Sequence, residues 1–339
     1  MTSYLKQNPL QEWLSYLIGS EPYRYHCWHR SLEHWYAQGR IYRTYGTINL
    51  TVGMVFFISS SLVLWAFRSH SLMKSSCFKI LFFLGIVAWA EVLTMSIWPA
   101  FLLFRGATFC THPRFGIIAG RALTMEWVAG SSACSFLMLN RLADMTRNKN
   151  LIKFFDRKKK VTVTFIVILI YSLLMALLTD PCLYNSSRRG FSMDPFNQME
   201  PELFENLFIV IHNIFFVVYL LAVFSFVLYK LFTEYENCWR GTSDLQRKIL
   251  IQSALACVQY VAPCFIYLII FLWNTYEPPK CFIEGTHVWF LMMSGMNGVL
   301  CLMLNRPIRV KLLEKMGMKH YIVQPKRRIG APSITRSIM

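Results

Sequence analysis

Seven separate stretches of this chain are long and apolar enough to cross a lipid bilayer, and no other feature constrains the fold as tightly. A hydrocarbon core ~30 Å thick takes ~20 helical residues to span, at about 1.5 Å of rise per residue. The stretches run from Tyr45 to Phe67, Ile80 to Phe104, Phe115 to Leu139, Val161 to Leu178, Leu207 to Leu231, Ile249 to Trp273 and Val288 to Leu304. Lipid offers no water to satisfy exposed amides, so each stretch is expected as a helix. A barrel would need alternating segments about half as long. The expected fold class is therefore an all-α membrane protein, a seven-transmembrane helix bundle.

Composition agrees. The chain is 55% hydrophobic and 16% charged, where a soluble domain carries roughly 25% charged residues. No Pro/Gly/Ser-rich linker divides the 339 residues, and no internal repeat is visible. The expected organisation is an outer tail over 1–44, the bundle over 45–305, and a cytoplasmic amphipathic helix with a basic tail over 306–339. The first span starts too far into the chain for the short apolar core of a cleavable signal peptide.

The net charge of +17 does not point to nucleic acid, because the basic residues are not gathered on one face among stacking aromatics. They sit in the gaps between apolar runs, where anionic membrane lipid is their expected partner. One side of the bilayer would hold Arg68, Lys74, Lys79, the dense run from Arg141 to Lys160, then Lys230, Arg240, Arg247, Lys248 and the tail from Arg306 to Arg336. The other would hold Lys6, Arg24, Arg30, Arg40, Arg43, Arg105, Arg114, Arg188, Arg189 and Lys280. The first group outnumbers the second, which puts the C-terminus inside and the N-terminus outside. The second outer loop is acidic by contrast (Asp180, Asp194, Glu200, Glu202, Glu205) and holds a sequon at Asn185-Ser186-Ser187, a candidate glycosylation site.

Of ten cysteines, Cys27, Cys110, Cys182 and Cys281 fall outside, where disulfides persist. Cys110, just before the third span, and Cys182, just after the fourth, are placed to tie the second outer loop over the third helix. Cys27 with Cys281 is the possible second pair. Four cysteines allow three pairings, which sequence does not separate.

Ionisable groups inside a membrane are costly and are site candidates by default. Glu91 lies near the middle of the second span, with Glu126 and Asn297 at similar depth in the third and seventh. A shared polar switch binding a proton or cation is one reading; hydrogen-bonded packing between helices is the other, favoured for Glu126. Arg121 is expected to snorkel outward. His212 and Asn213 read as interhelical hydrogen-bonders, and no cofactor or metal-ligand set is apparent. Pro263 should kink the sixth span. Asn140-Arg141 closes the third span at the cytoplasmic boundary, as a latch facing a docked protein or as one more positive-inside charge. Pro307 to Met318 alternates apolar and charged residues like a short amphipathic helix on the inner leaflet.

Taken in order, these residues resemble the class T serpentine receptors, a nematode family of seven-span chemoreceptors. The likeness runs through Cys27, Trp35, Gly46, Gly53, Cys77-Phe78-Lys79, Cys110, Pro113, Gly120, Trp127 and Asn140-Arg141. It continues with Gln246, Lys248, Gln252, Trp289, Gly295 and Asn305-Arg306. His26 stands where the family has Asn, a proline late in the first span is missing, and Asn297 and Cys301 replace a proline and a tyrosine in the seventh. The resemblance implies a GPCR-like plasma-membrane receptor of chemosensory neurons, with a small external ligand in the bundle and a heterotrimeric G protein as partner. Asn140-Arg141 looks like the counterpart of the acidic-Arg-aromatic motif of rhodopsin-like receptors, without its preceding acid.

Other classes fit less well. No His-Glu-x-x-His, Gly-x-Ser-x-Gly or paired intramembrane aspartates mark an enzyme, and no lysine lies between Val288 and Leu304 to hold retinal. Neither inverted repeats nor paired broken helices mark a transporter. The remaining alternative is an inverted seven-span ligand-gated ion channel, whose N-terminus would lie inside.

Overall fold

The computed structural model describes residues 27, 31–192, 206–233, 244–272 and 280–318. The calculated spans appear in it as seven long apolar helices: α2 (Arg43–Phe67), α3 (Ser76–Arg105), α4 (Pro113–Thr146), α6 (Lys158–Leu178), α7 (Leu207–Thr233), α8 (Asp244–Leu272) and α9 (Lys280–Leu304). Four short elements complete the described chain: α1 (Leu32–Gln38), α5 (Lys149–Asp156), α10 (Arg306–Lys315) and a hairpin of β1 (Leu183–Asn185) and β2 (Gly190–Ser192). His26, the acidic residues Asp194, Glu200, Glu202 and Glu205, Cys238, and the tail beyond 318 lie outside the described residues.

Burial decides which helix is central. The most apolar window of α4 is 61% buried within the protein and that of α6 only 28%, so α4 runs through the middle and α6 stands at the periphery. Ile166, Val167 and Ile170 of α6 and Phe208, Ile211, Phe215 and Val218 of α7 are exposed. In a membrane these rows face lipid, where exposed apolar surface carries no penalty. The main core joins Leu137 and Met138 of α4 to Phe67, Ile80 and Leu84 on one side and Leu220, Cys257 and Ile308 on another.

Helix ends explain where the expected spans and the observed helices differ. Pro113 opens α4 in the first turn, where its missing N–H is harmless. The same helix continues past Leu139 to Thr146 and ends on Arg147, which takes a left-handed φ of 51°. Gly106 at φ 61° closes α3, a conformation glycine adopts without strain. Two helices contain an internal proline, Pro263 in α8 and Pro99 in α3, and each costs its helix one backbone hydrogen bond. The seventh helix begins at Lys280 rather than Val288, and Glu284 and His287 in its added turns each have a partner. Arg189 pairs with Glu284 at 2.6 Å, and His287 Nε2 meets Asn49 Oδ1 at 3.2 Å.

The small elements clamp the two ends of the bundle. At the end that holds the hairpin, Ser31 caps α1 and Trp35 of that helix is buried, with its indole donating to the Cys27 carbonyl at 3.0 Å. At the opposite end the Asn148 side chain caps α5 by accepting from the amides of Asn150 and Leu151, and Phe155 packs 5.1 Å from Phe136 of α4. Helix α10 buries Ile308 completely. Its Lys315 ammonium donates to the Trp65 carbonyl at the end of α2 and sits 5.6 Å from the Trp65 ring.

The disulfide differs from both expected pairings. Cys27 is bonded to Cys110, with Cα atoms 5.4 Å apart; Cys182 and Cys281 are free thiols. Trp35 decides the partner. It packs with Phe109 and Cys110, and the Thr108 hydroxyl donates to its carbonyl, so α1 brings Cys27 to the turn before α4. The Cys182 backbone leans instead on Gly120, within α4. Burial pushes the Cys182 thiol up to about 12. Cys281 is exposed on the first turn of α9.

Candidate functional site: a hairpin roof, two buried acids and a polar helix end

The hairpin forms the roof of the bundle. Antiparallel pairing sets Tyr184 opposite Phe191, and both rings close on the His287 imidazole, at 5.2 and 5.6 Å. Arg189, at the turn with φ 57°, reaches Glu284 of α9 and lies over the rings of Tyr42 (4.8 Å) and Tyr45 (5.7 Å) of the first span. The roof is thus fastened to α2 and α9 by one ion pair and a set of aromatic contacts. Below it, the Asn49 amide donates to the carbonyls of Met95 (3.3 Å) and Ser96 (3.0 Å) on α3 and turns its oxygen to His287.

The same hairpin holds Asn185, the expected glycosylation site. Asn185 ends β1 with only 4% of its surface exposed, and its oxygen accepts from the Ser187 amide (2.9 Å) and hydroxyl (2.8 Å). The folded hairpin thus encloses this side chain.

At mid-depth Glu91 and Thr94 stand one turn apart on α3, and Thr94 bonds Glu126 of α4, so the structure places the two acids in one locality. Tyr260 of α8 donates to Glu91 at 3.3 Å, and the Ser294 hydroxyl of α9 donates to the Phe290 carbonyl at 3.0 Å. Gly130 of α4 lets the Tyr260 ring approach the backbone, where any Cβ would collide with it. Thr94 donates to one oxygen of Glu126 at 3.1 Å, and the other oxygen is buried without a partner. Among the described residues no Lys or Arg pairs with either acid. Asn297 does not join them by any described hydrogen bond, and its amide nitrogen is buried without a partner. Trp127 stands beside the acids and against Tyr260 (5.6 Å) and Phe290 (5.4 Å), with its indole donating to Asn213. His212 joins Ser131 of α4 (2.8 Å) and Tyr171 of α6 (3.0 Å). Arg121 donates to the carbonyls of Ala176 and Leu177 at the end of α6, groups a helix leaves unsatisfied.

Near the C-terminal end of α4, Asn140 and Arg141 are both buried. The acid missing before the arginine is supplied after it. Asp144, one turn on, holds the guanidinium at 2.9 Å, and Asn140 accepts from it while donating to Ser76 of α3. The Arg141 Nε is buried without a partner. Nearby in the sequence order of the later helices, Gln252 of α8 donates to Cys301 of α9 at 2.8 Å and accepts from Asn305, so one buried amide pair joins the inner ends of α8 and α9.

The family profile described as serpentine type 7TM GPCR chemoreceptor Srt matches residues 12–324. The chain belongs to that family. A relative, serpentine receptor class T-55 of Caenorhabditis elegans, is 26% identical over 311 residues, covering 90% of this chain and 83% of its own. Srt membership and seven apolar helices make the protein a multi-pass membrane protein and a GPCR-type chemoreceptor, and argue against an enzyme. Within this Srt receptor the sequence reading found Glu91, Glu126 and Arg141 but missed Tyr45, Tyr184, His287, Ser294 and Asp144. Asp144 was legible as the acid at i+3 from Arg141 on one helix face. Tyr184 was not, because three-residue strands carry no periodicity.

Proposed function

We propose that this Srt receptor sits in the plasma membrane of chemosensory neurons with its N-terminus outside, binds a small external ligand under the hairpin, and activates a heterotrimeric G protein through its inner end. The observation that carries the reading is the Arg141–Asp144 pair, a buried guanidinium held by an exposed carboxylate, beside Asn140, at the inner end of the helix that also lines the acid cluster. A buried guanidinium with one nitrogen left over, held by a carboxylate at the surface, is suited to two arrangements. Asp144 holds the arginine at rest, and a docked partner takes it over when the bundle opens. The ligand supplies the difference in free energy between those arrangements by binding one better than the other.

The test is guanine-nucleotide exchange in membranes holding this receptor and a heterotrimeric G protein. Arg141→Ala should lower receptor-dependent exchange at least ~10-fold at equal surface level, since a charged hydrogen bond contributes about 1.5–3 kcal/mol. Unchanged exchange at equal surface level would remove Arg141 from the mechanism.

A further inference from the structure

Three polar atoms beneath the hairpin are buried without hydrogen-bond partners: the hydroxyls of Tyr45 and Tyr184 and the Nδ1 of His287. They belong to one locality. Tyr45 and Tyr184 pack in the same cluster with Phe191, and the Tyr184 ring lies 5.2 Å from that of His287. Tyr184 and His287 are 2% and 1% exposed. Orphaned buried polar groups carry a desolvation penalty and are few in native proteins, so three side by side mark a place built for something else to complete.

The surroundings define the chemistry. The charges here cancel, because Arg189 and Glu284 are paired with each other at 2.6 Å; an ionic ligand would find no counter-charge free. The polarity of each orphan can also be assigned. Asn49 spends its amide hydrogens on the Met95 and Ser96 carbonyls and therefore presents oxygen to His287. Nε2 must donate to it, which leaves Nδ1 of the neutral ring as an acceptor. The two phenols donate or accept as required. The site thus needs one donor hydrogen for His287 and offers up to two donors in return. A carboxylate has no proton for Nδ1, an ammonium has nothing to accept from the tyrosines, and a hydrocarbon satisfies none of the three.

The geometry points to Tyr45, Tyr184 and His287 as a ligand subsite for a small neutral molecule carrying a hydroxyl beside a second oxygen, such as a hydroxyketone or a diol. The hydroxyl gives its hydrogen to His287 Nδ1, and the second oxygen accepts from the tyrosines. The rings of Tyr184, Phe191 and His287, packed on one another at 5.1–5.6 Å, form an aromatic wall against which the carbon skeleton lies. This assignment rests on the reading that an external ligand enters under the hairpin, and it is independent of the G protein.

The test uses full-length receptor in lipid nanodiscs and thermal unfolding as the binding readout. The probes are 1-hydroxy-2-ketones, straight-chain carboxylates and straight-chain alkylamines, matched over short and medium chain lengths. The hydroxyketones should raise the unfolding temperature and the ions should not. Tyr45→Phe, Tyr184→Phe and His287→Phe should each weaken hydroxyketone binding ~5-fold or more, the worth of one hydrogen bond. The two tyrosine variants delete hydroxyls that bond nothing, so their unliganded unfolding temperature should not fall, which separates loss of binding from loss of fold. Carboxylates or amines binding as well as the hydroxyketones would overturn the chemical class. Hydroxyketone affinity unchanged in all three variants, or no hydroxyketone binding at all, would overturn the site. Loss of nucleotide exchange with this binding intact would count against the receptor mechanism alone.

Discussion

Replacing Cys27 by Ser tests the outer architecture quantitatively. Its bridge to Cys110 closes a loop with a sequence separation of 83, and for a freely jointed unfolded chain the closure entropy would be worth ~4.5 kcal/mol. That figure is too large for a membrane protein. If α2 and α3 stay inserted when the bundle comes apart, only the segments outside the membrane gain freedom, roughly 20 residues, and the effect drops to ~3 kcal/mol. Cys27→Ser and Cys110→Ser should therefore each lower the unfolding temperature by roughly 5–10 °C. The double variant should lose no more than either single one, because the two residues act as one unit. Cys182→Ser should lose far less. The assay is thermal unfolding in nanodiscs, paired with maleimide labelling of the unfolded, unreduced protein and mass mapping of the labelled thiols. Cys182 should label and Cys27 should not. Labelled Cys27 with a blocked Cys182, or equal losses for Cys182→Ser and Cys27→Ser, would refute the pairing and the role given to Trp35.

Further outcomes follow from the same structure. Asp144→Asn removes the charge that holds Arg141, and ligand-independent nucleotide exchange should rise several-fold over wild type; a fall would mean that Asp144 serves the active arrangement instead. Tyr184→Phe deletes a buried hydroxyl with no partner, so the unliganded receptor should be as stable as wild type or more stable by about 1 kcal/mol in thermal unfolding. Asn185→Gln should leave gel mobility unchanged before and after glycosidase treatment, because Asn185 is enclosed in the hairpin; a mobility difference would show that the hairpin is open when glycans are added.

The spans were legible because lipid imposes a length and a polarity that a sequence must display openly. The seventh shows the limit of that signal. Glu284 and His287 look like reasons to start the helix later, and only their partners Arg189 and Asn49, far away in sequence, make them tolerable inside it. Glu91 and Glu126 could be flagged singly as costly charges, but their approach to each other and to Tyr260 depends on how α3, α4 and α8 pack. Cysteine pairing failed for a related reason. Outer position is visible in the chain, whereas the choice of Cys27 for Cys110 was made by the burial of Trp35. Arg141 was visible in the sequence, and its acid stands one turn after it, at Asp144, rather than directly before it.

The most direct measurement is the accessibility of epitope tags on the two termini, in intact and in permeabilised cells. The receptor mechanism predicts an N-terminal tag reached by antibody on intact cells and a C-terminal tag reached only after permeabilisation, with the hairpin facing outside and Arg141 facing the cytoplasm. The reverse pattern would put Arg141 outside, remove the G protein from the account and favour an inverted seven-span channel.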